Sequence, residues 1–257
     1  MMLNRIEHFG LSHLLLVIFW ICLLFGCQTD ELDQGSAAEE EKTNDIQNKI
    51  MPLGASRVQG LSPIFESYRY ELWKDLVDGG WSFDFIGTEV EIGFYSDYQG
   101  IPFDADHQGK GGWTSGKILE DLAASLEKAG VPDIVLFSSP GGNDLLNDLP
   151  YVDVIENVNA IIDLLQQVNP DITIVIELLA PGRTDFMTPE LTELFTQAID
   201  DISSIVVEQS DSNSQVIPVN MYTGFLDDYL FDDIHYNKNG AVFIADRYYE
   251  VLQNILN

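Results

Sequence analysis

The sequence predicts one α/β domain: a five-stranded parallel sheet with helices on both faces. Three observations lead there. Short apolar runs alternate with stretches of helical apolar spacing, and five such runs can be counted. No internal repeat and no second composition divides the chain. Once a leader is set aside, its length suits one sizeable domain in which strand and helix alternate.

The elements follow in order. The first strand is predicted near Lys49–Leu53, ending at Gly54-Ala55-Ser56. A helix covers about 64–78, where Tyr68, Leu72, Leu76 and Val77 recur at helical spacing, and a second strand covers Phe83–Ile86. The segment from Gly87 to Ser115 carries six glycines and little periodicity, so it is expected to be a long irregular loop of functional kind. A helix over 118–129 ends at Gly130 and Pro132, before an apolar third strand over 133–138. Helix 152–167 is stopped by Pro170, and strand 172–179 carries no charge until Glu177. Thr188-Pro189-Glu190 caps a helix reaching about Val207, with proline at its first position. Strand 216–220 and a helix over 240–256 complete the count.

Residues 1–27 read as an export signal. Leu14–Phe25 is a twelve-residue apolar run. As a helix it would be about 18 Å long, too short for a ~30 Å hydrocarbon core. Leu24-Phe25-Gly26-Cys27 resembles a bacterial lipobox, which would make Cys27 the lipidated first residue of a cell-envelope lipoprotein and its lipid the membrane contact; a plain signal peptide with an incidental cysteine is the alternative. Residues 28–48, acidic and without periodicity, read as a flexible tether. The only other cysteine is Cys22, so the domain over 49–257 has neither a disulfide nor a thiol nucleophile. A net charge of −30 excludes nucleic acid as a partner and leaves neutral substrates open.

Four stretches carry chemistry. The strand–small turn–serine–helix pattern around Ser56 pushes a hydroxyl out at the carboxyl edge of a sheet, where open α/β folds bind ligands. The domain has two histidines, His107 and His235, and Asp232 stands three residues before His235. That spacing lets the carboxylate hold Nδ1 while Nε2 faces a hydroxyl. Asp233 is expected to point elsewhere, and Asn237 to cap the last helix. Gly141-Gly142-Asn143-Asp144 follows the third apolar strand, where the Asn143 amide can donate to a developing oxyanion. Gly109-Lys110-Gly111-Gly112-Trp113 offers a further backbone donor, with His107 and Trp113 as candidate substrate contacts; a solvated loop histidine and a core-filling indole are the bland alternatives. Asp104-x-Asp106-x-Gln108-Gly109 resembles the start of a calcium loop, but Ser115 stands where the twelfth-position glutamate belongs.

Together Ser56, the glycine before Trp113, Gly-Gly-Asn-Asp and Asp-x-x-His resemble the four blocks of the SGNH hydrolase (GDSL esterase/lipase) superfamily, from about Ile50 to the C-terminus. Tyr68–Trp73 and Phe83–Gly87 look most like its carbohydrate-esterase members, which remove acetyl groups from polysaccharides. The resemblance implies a flavodoxin-like three-layer α/β/α sandwich, Ser56 as nucleophile, His235 as base and Asp232 as its orienter. It implies an oxyanion hole from the Ser56 N–H, the Gly112 N–H and the Asn143 side chain, with no metal or organic cofactor. The α/β-hydrolase pattern fits badly, because Val58 occupies the last position of Gly-x-Ser-x-Gly. One departure stands out: Ala55 occupies the place where the family usually has aspartate, which keeps open a non-catalytic glycan-binding lipoprotein. A lipase or lysophospholipase is the other enzyme reading.

Overall fold

The computed structural model describes residues 48–91 and 93–256, all within one unit spanning 44–257. Cys27, the leader and nearly all of the tether lie outside the described residues.

Among the described residues, seven strands form the sheet: β1 (Lys49–Gly54), β2 (Asp84–Phe85), β3 (Glu89–Val90), β4 (Asp106–Gly109), β5 (Ile134–Phe137), β6 (Thr173–Leu178) and β7 (Gln215–Asn220). Their order is β3-β4-β1-β5-β6-β7, with β2 also paired to β1. β2 and β4 share one edge of β1, β2 beside its start (Lys49 opposite Asp84) and β4 beside its end (Gly54 opposite Gly109). The five predicted strands are present and pair in parallel. The count of five is corrected by β3 and β4, which lie inside the expected long loop, and β3 runs antiparallel to β4. Neither strand has the apolar run that marks a buried strand: β4 reads Asp-His-Gln-Gly.

Side-chain alternation along the strands sorts the core into two layers. Met51, Leu53, Val135, Phe137, Ile174 and Ile176 face one side of the sheet. There they meet α3 (Ser115–Ala129), α5 (Tyr151–Val168) and α6 (Pro189–Gln209). Ile50, Ile134, Leu136 and Val175 face the other side, against α2 (Arg69–Asp78) and α7 (Lys238–Leu252). This is the α/β/α sandwich, with both faces covered as parallel sheets require. Two short helices complete it, α1 (Ser56–Gln59) directly after β1 and α4 (Gly142–Leu146) after β5.

The predicted caps hold. Thr188 Oγ1 accepts the Leu191 N–H at 3.2 Å, with Pro189 at the first helical position. Asn237 Oδ1 accepts the Asn239 and Gly240 N–H groups at 2.9 and 3.1 Å, fixing where α7 begins. Among the described residues, no helix is long and apolar enough to cross a membrane.

Candidate active site

β1 delivers Ser56. Gly54, at φ 157°, ends the strand where a Cβ would lie 2.8 Å from the Ser138 carbonyl oxygen and 2.9 Å from Val58 Cγ2. Only glycine lets β1 and β5 approach this closely at their carboxyl ends. α1 then starts at Ser56 with no side-chain cap, Ala55 having no acceptor to offer.

His235 meets this serine from the turn before α7. Its Nε2 lies 3.0 Å from Ser56 Oγ, and its Nδ1 lies 2.8 Å from Asp232 Oδ2. The other Asp232 oxygen accepts the Ile234 and His235 backbone N–H groups at 2.9 and 2.7 Å. Burial raises the Asp232 carboxyl, but the His235 ring and those two N–H groups outweigh it and hold the carboxyl below its ordinary range. The Asp232 side chain is 44% exposed and that of His235 only 19%. Phe65 covers one face of the imidazole, its ring stacked at 4.2 Å between centroids. Asp233 contributes its carbonyl to Arg183 N at 2.8 Å and takes no part in the Ser56–His235–Asp232 chain.

The donor side is assembled from two turns. Gly141, at φ 74°, packs against Val154 so closely that a Cβ would overlap it, and α4 follows with Asn143 in its first turn. Asn143 Nδ2 donates to the Trp113 carbonyl at 2.7 Å, which fixes the amide plane and leaves its second hydrogen free. Asp144 is buried and clamps the start of α3, accepting from Ser115 N at 2.8 Å and Ser115 Oγ at 2.6 Å. The glycine turn is pinned by Gly111 N to Gln59 Oε1 at 2.7 Å and by Lys110 N to the Gly54 carbonyl at 3.3 Å. The Ser56 and Gly112 N–H groups donate to nothing among the described residues.

The two candidate substrate contacts are placed differently. His107 is on β4, 1% exposed, with Nδ1 accepting the Gly109 N–H at 3.0 Å. Burial and the neighbouring Arg69 charge push its pKa down to about 2, so it is a neutral core group and touches no substrate. The reason is the strand the sequence did not reveal: pairing of β4 with β1 turns this side chain inward. Trp113 packs partly buried against the α3 side of the core, with Lys110 Nζ 4.4 Å from its ring centroid. The ring both packs on the core and keeps an exposed part beside the glycine turn. Asp104 and Asp106 belong to the approach and start of β4, Asp104 accepting the Phe85 N–H at 2.7 Å. Among the described residues, no group of three or more His, Cys, Asp or Glu side chains is placed to hold a metal ion.

The sequence profile of the GDSL-like Lipase/Acylhydrolase family matches residues 95–242, more than half of the chain. The chain belongs to this family. It is therefore a carboxylic ester hydrolase. Gly112, Asn143, Asp232 and His235 lie within the matched segment and Ser56 precedes it. Among solved structures, a carbohydrate esterase family 3 protein from Talaromyces cellulolyticus shares 25% identity at a TM-score of 0.70, over 81% of this chain and 98% of that one. A Clostridium thermocellum family 3 carbohydrate esterase shares 27% identity at a TM-score of 0.65, over 82% of this chain and 100% of that one. An acetyl esterase mutant solved with an acetate ion shares 24% identity at a TM-score of 0.70, over 81% of this chain and 98% of that one, a likeness of fold. No curated protein matches the sequence.

Two residues of this GDSL-like hydrolase escaped sequence reasoning. Arg57 is buried and sends its guanidinium to the carbonyls of Ile234 (2.9 Å), Ala180 (2.9 Å) and Pro181 (3.1 Å). Glu177, fully buried at the end of β6, accepts the Ser139 N–H at 2.7 Å and the Tyr248 hydroxyl at 2.8 Å. The second had a signal: a lone carboxylate in an otherwise apolar strand.

Proposed function

We propose that this hydrolase removes O-acetyl groups from carbohydrate through an acyl-serine intermediate. The observation that carries the mechanism is the continuous chain from Ser56 Oγ through the His235 ring to Asp232, at 3.0 and 2.8 Å. Ser56 Oγ attacks the ester carbonyl carbon as His235 Nε2 takes its proton. The Ser56 N–H, the Gly112 N–H and the free hydrogen of Asn143 Nδ2 receive the oxyanion. Asp232 keeps the imidazole in the tautomer that accepts at Nε2 and stabilises it when charged. Collapse expels the alcohol, which takes the proton from His235. Water then attacks acyl-Ser56 with His235 as base, releasing the acid and restoring the serine.

The carbohydrate assignment is supported by the likeness to the two family 3 carbohydrate esterases at 25% and 27% identity. Export and lipidation at Cys27 are part of the same proposal, supported by the apolar run and the residues before Cys27. A tethered, acidic enzyme suits a neutral polymer better than an anionic lipid surface.

The test is hydrolysis of p-nitrophenyl acetate and of acetylated polysaccharide by wild type and Ser56→Ala, with a serine-reactive phosphonate as control. Loss of both activities in the variant is expected. Equal rates for the two proteins would sink the acyl-serine mechanism, and turnover of the small ester without the polymer would sink the carbohydrate assignment.

A further inference from the structure

Two cavities share a wall beside Ser56. The first is lined by Ser56, Asn143, Leu146, Gly182 and Phe195 among others, and measures about 20 Å³. One water needs roughly 10–15 Å³ on that measure, so this is room for a very small group. His235 does not line it. The leaving alcohol must take its proton from His235, so a cavity that reaches Ser56 and Asn143 without His235 suits the acyl group. Adjoining it is a groove of about 340 Å³, lined by Leu179, Met187, Ile199 and Phe225, and again by Gly182 and Phe195.

Phe195 and Gly182 are the residues the two spaces share. Gly182 cannot carry a larger side chain there, because a Cβ would lie 2.9 Å from the Asp233 carbonyl oxygen. The partition therefore rests on the Phe195 ring, projected from α6 and 6% exposed.

We propose that Phe195 sets the acyl-chain length. Its ring closes the acyl cavity at the size of an acetyl group and shuts longer chains out of the adjoining apolar groove. The proposal rests on the esterase reading above and adds the residue that decides which acyl group is accepted. Phe195 is a specificity residue; the proton transfers need nothing from it.

The experiment compares kcat/KM for p-nitrophenyl acetate, butyrate and octanoate in wild type, Ser56→Ala, Phe195→Ala and Phe195→Leu, each checked for a cooperative melt. Phe195→Leu keeps an apolar side chain in the core if the alanine variant does not fold. One misfitting methylene typically costs about 10–200-fold, so wild type should lose at least about tenfold from acetate to octanoate. Opening the partition should raise the octanoate-to-acetate ratio by about tenfold or more, with the leucine variant intermediate. Adding Thr196→Trp, at an exposed groove position, to Phe195→Ala should return the ratio toward wild type. Ser56-dependent turnover with the ratio unmoved in a folded Phe195 variant would overturn the gate alone. Wild type accepting octanoate as readily as acetate would also overturn it. Absence of Ser56-dependent turnover on every ester would overturn the esterase reading and the gate together.

Discussion

The Arg57 Nε donates to the Ile234 carbonyl at 2.9 Å, tying the residue after Ser56 to the residue before His235. Its other nitrogens reach Ala180 and Pro181, and its guanidinium lies 4.8 Å from the Tyr236 ring centroid. One planar cation thus fixes the spacing between two turns that carry the proton-transfer pair. Lysine cannot present this fork. Arg57→Lys should lower kcat about 10²-fold, as displacements of an ångström do. KM should move less, and unfolding free energy should fall by about 1–3 kcal/mol for each carbonyl left unpaired. Ester kinetics and denaturant titration check both; unchanged kcat in the lysine variant would refute the spacing role.

Asn143→Ala removes the side-chain donor while leaving α4 in place. Turnover should drop about 10²–10³-fold, with the melting transition little changed. The Trp113 carbonyl also loses its partner, but it lies near the surface, where water replaces the amide. Near-normal turnover would remove Asn143 from the oxyanion site.

Glu177 supports the same site from beneath. Its carboxylate receives the N–H of Ser139, which sits at φ 49° where the chain turns toward Gly141 and Asn143. Glu177→Gln keeps an acceptor for that N–H and should retain most activity. Glu177→Ala leaves the Ser139 N–H and the Tyr248 hydroxyl without a partner. It should lose both activity and stability, by about 1–3 kcal/mol for each orphaned group. Similar behaviour of the two variants, measured by turnover and thermal melts, would contradict this account.

Stability should respond to pH through opposing groups. Burial, reinforced by Asp246 and Glu71, lifts Asp75 to about 6. Burial lifts Asp104 to about 6 as well, against the Phe85 and Asp106 N–H groups that favour its charge. An acid raised above its unfolded value of ~3.9 gains protons on folding, so its penalty is full above pH 6 and gone below about 4. His107 acts in the other direction: neutral when folded, it charges in the unfolded chain below about pH 6.5, so its penalty grows as pH falls toward 2. The double variant Asp75→Asn, Asp104→Asn should therefore gain most over wild type at about pH 7–8 and lose that gain near pH 4. His107→Asn should lose stability less steeply than wild type between about pH 6.5 and 4. Melting temperatures across that range decide it, and parallel curves for all three proteins would be the contrary result.

What the sequence made legible was local. Ser56 after an apolar strand, Asp232 three residues before His235 and Asn143 after paired glycines each declare themselves within a few residues. The three layers follow from apolar periodicity alone. α1 and α4, with four and five residues, are shorter than any periodicity can register. β4 was hidden because its burial comes from pairing with β1, while its own residues are polar or glycine. That is also why the sequence alone reads His107 as a loop residue. Arg57 reaches partners 123, 124 and 177 residues away. No spacing rule connects such positions; only the assembled sheet does.

The hydrogen bond between Ser56 and His235 joins residues 179 positions apart, from opposite ends of the domain. No fragment made up to β7 can therefore contain the proton-transfer pair, however well its own helices form. The chain gains its chemistry at the final closure, when the turn before α7 docks against β1, a contact whose loop-closure entropy is met only by the assembled core. Ester turnover during refolding would then act as a clock for completion: helix content would return before the first product is released.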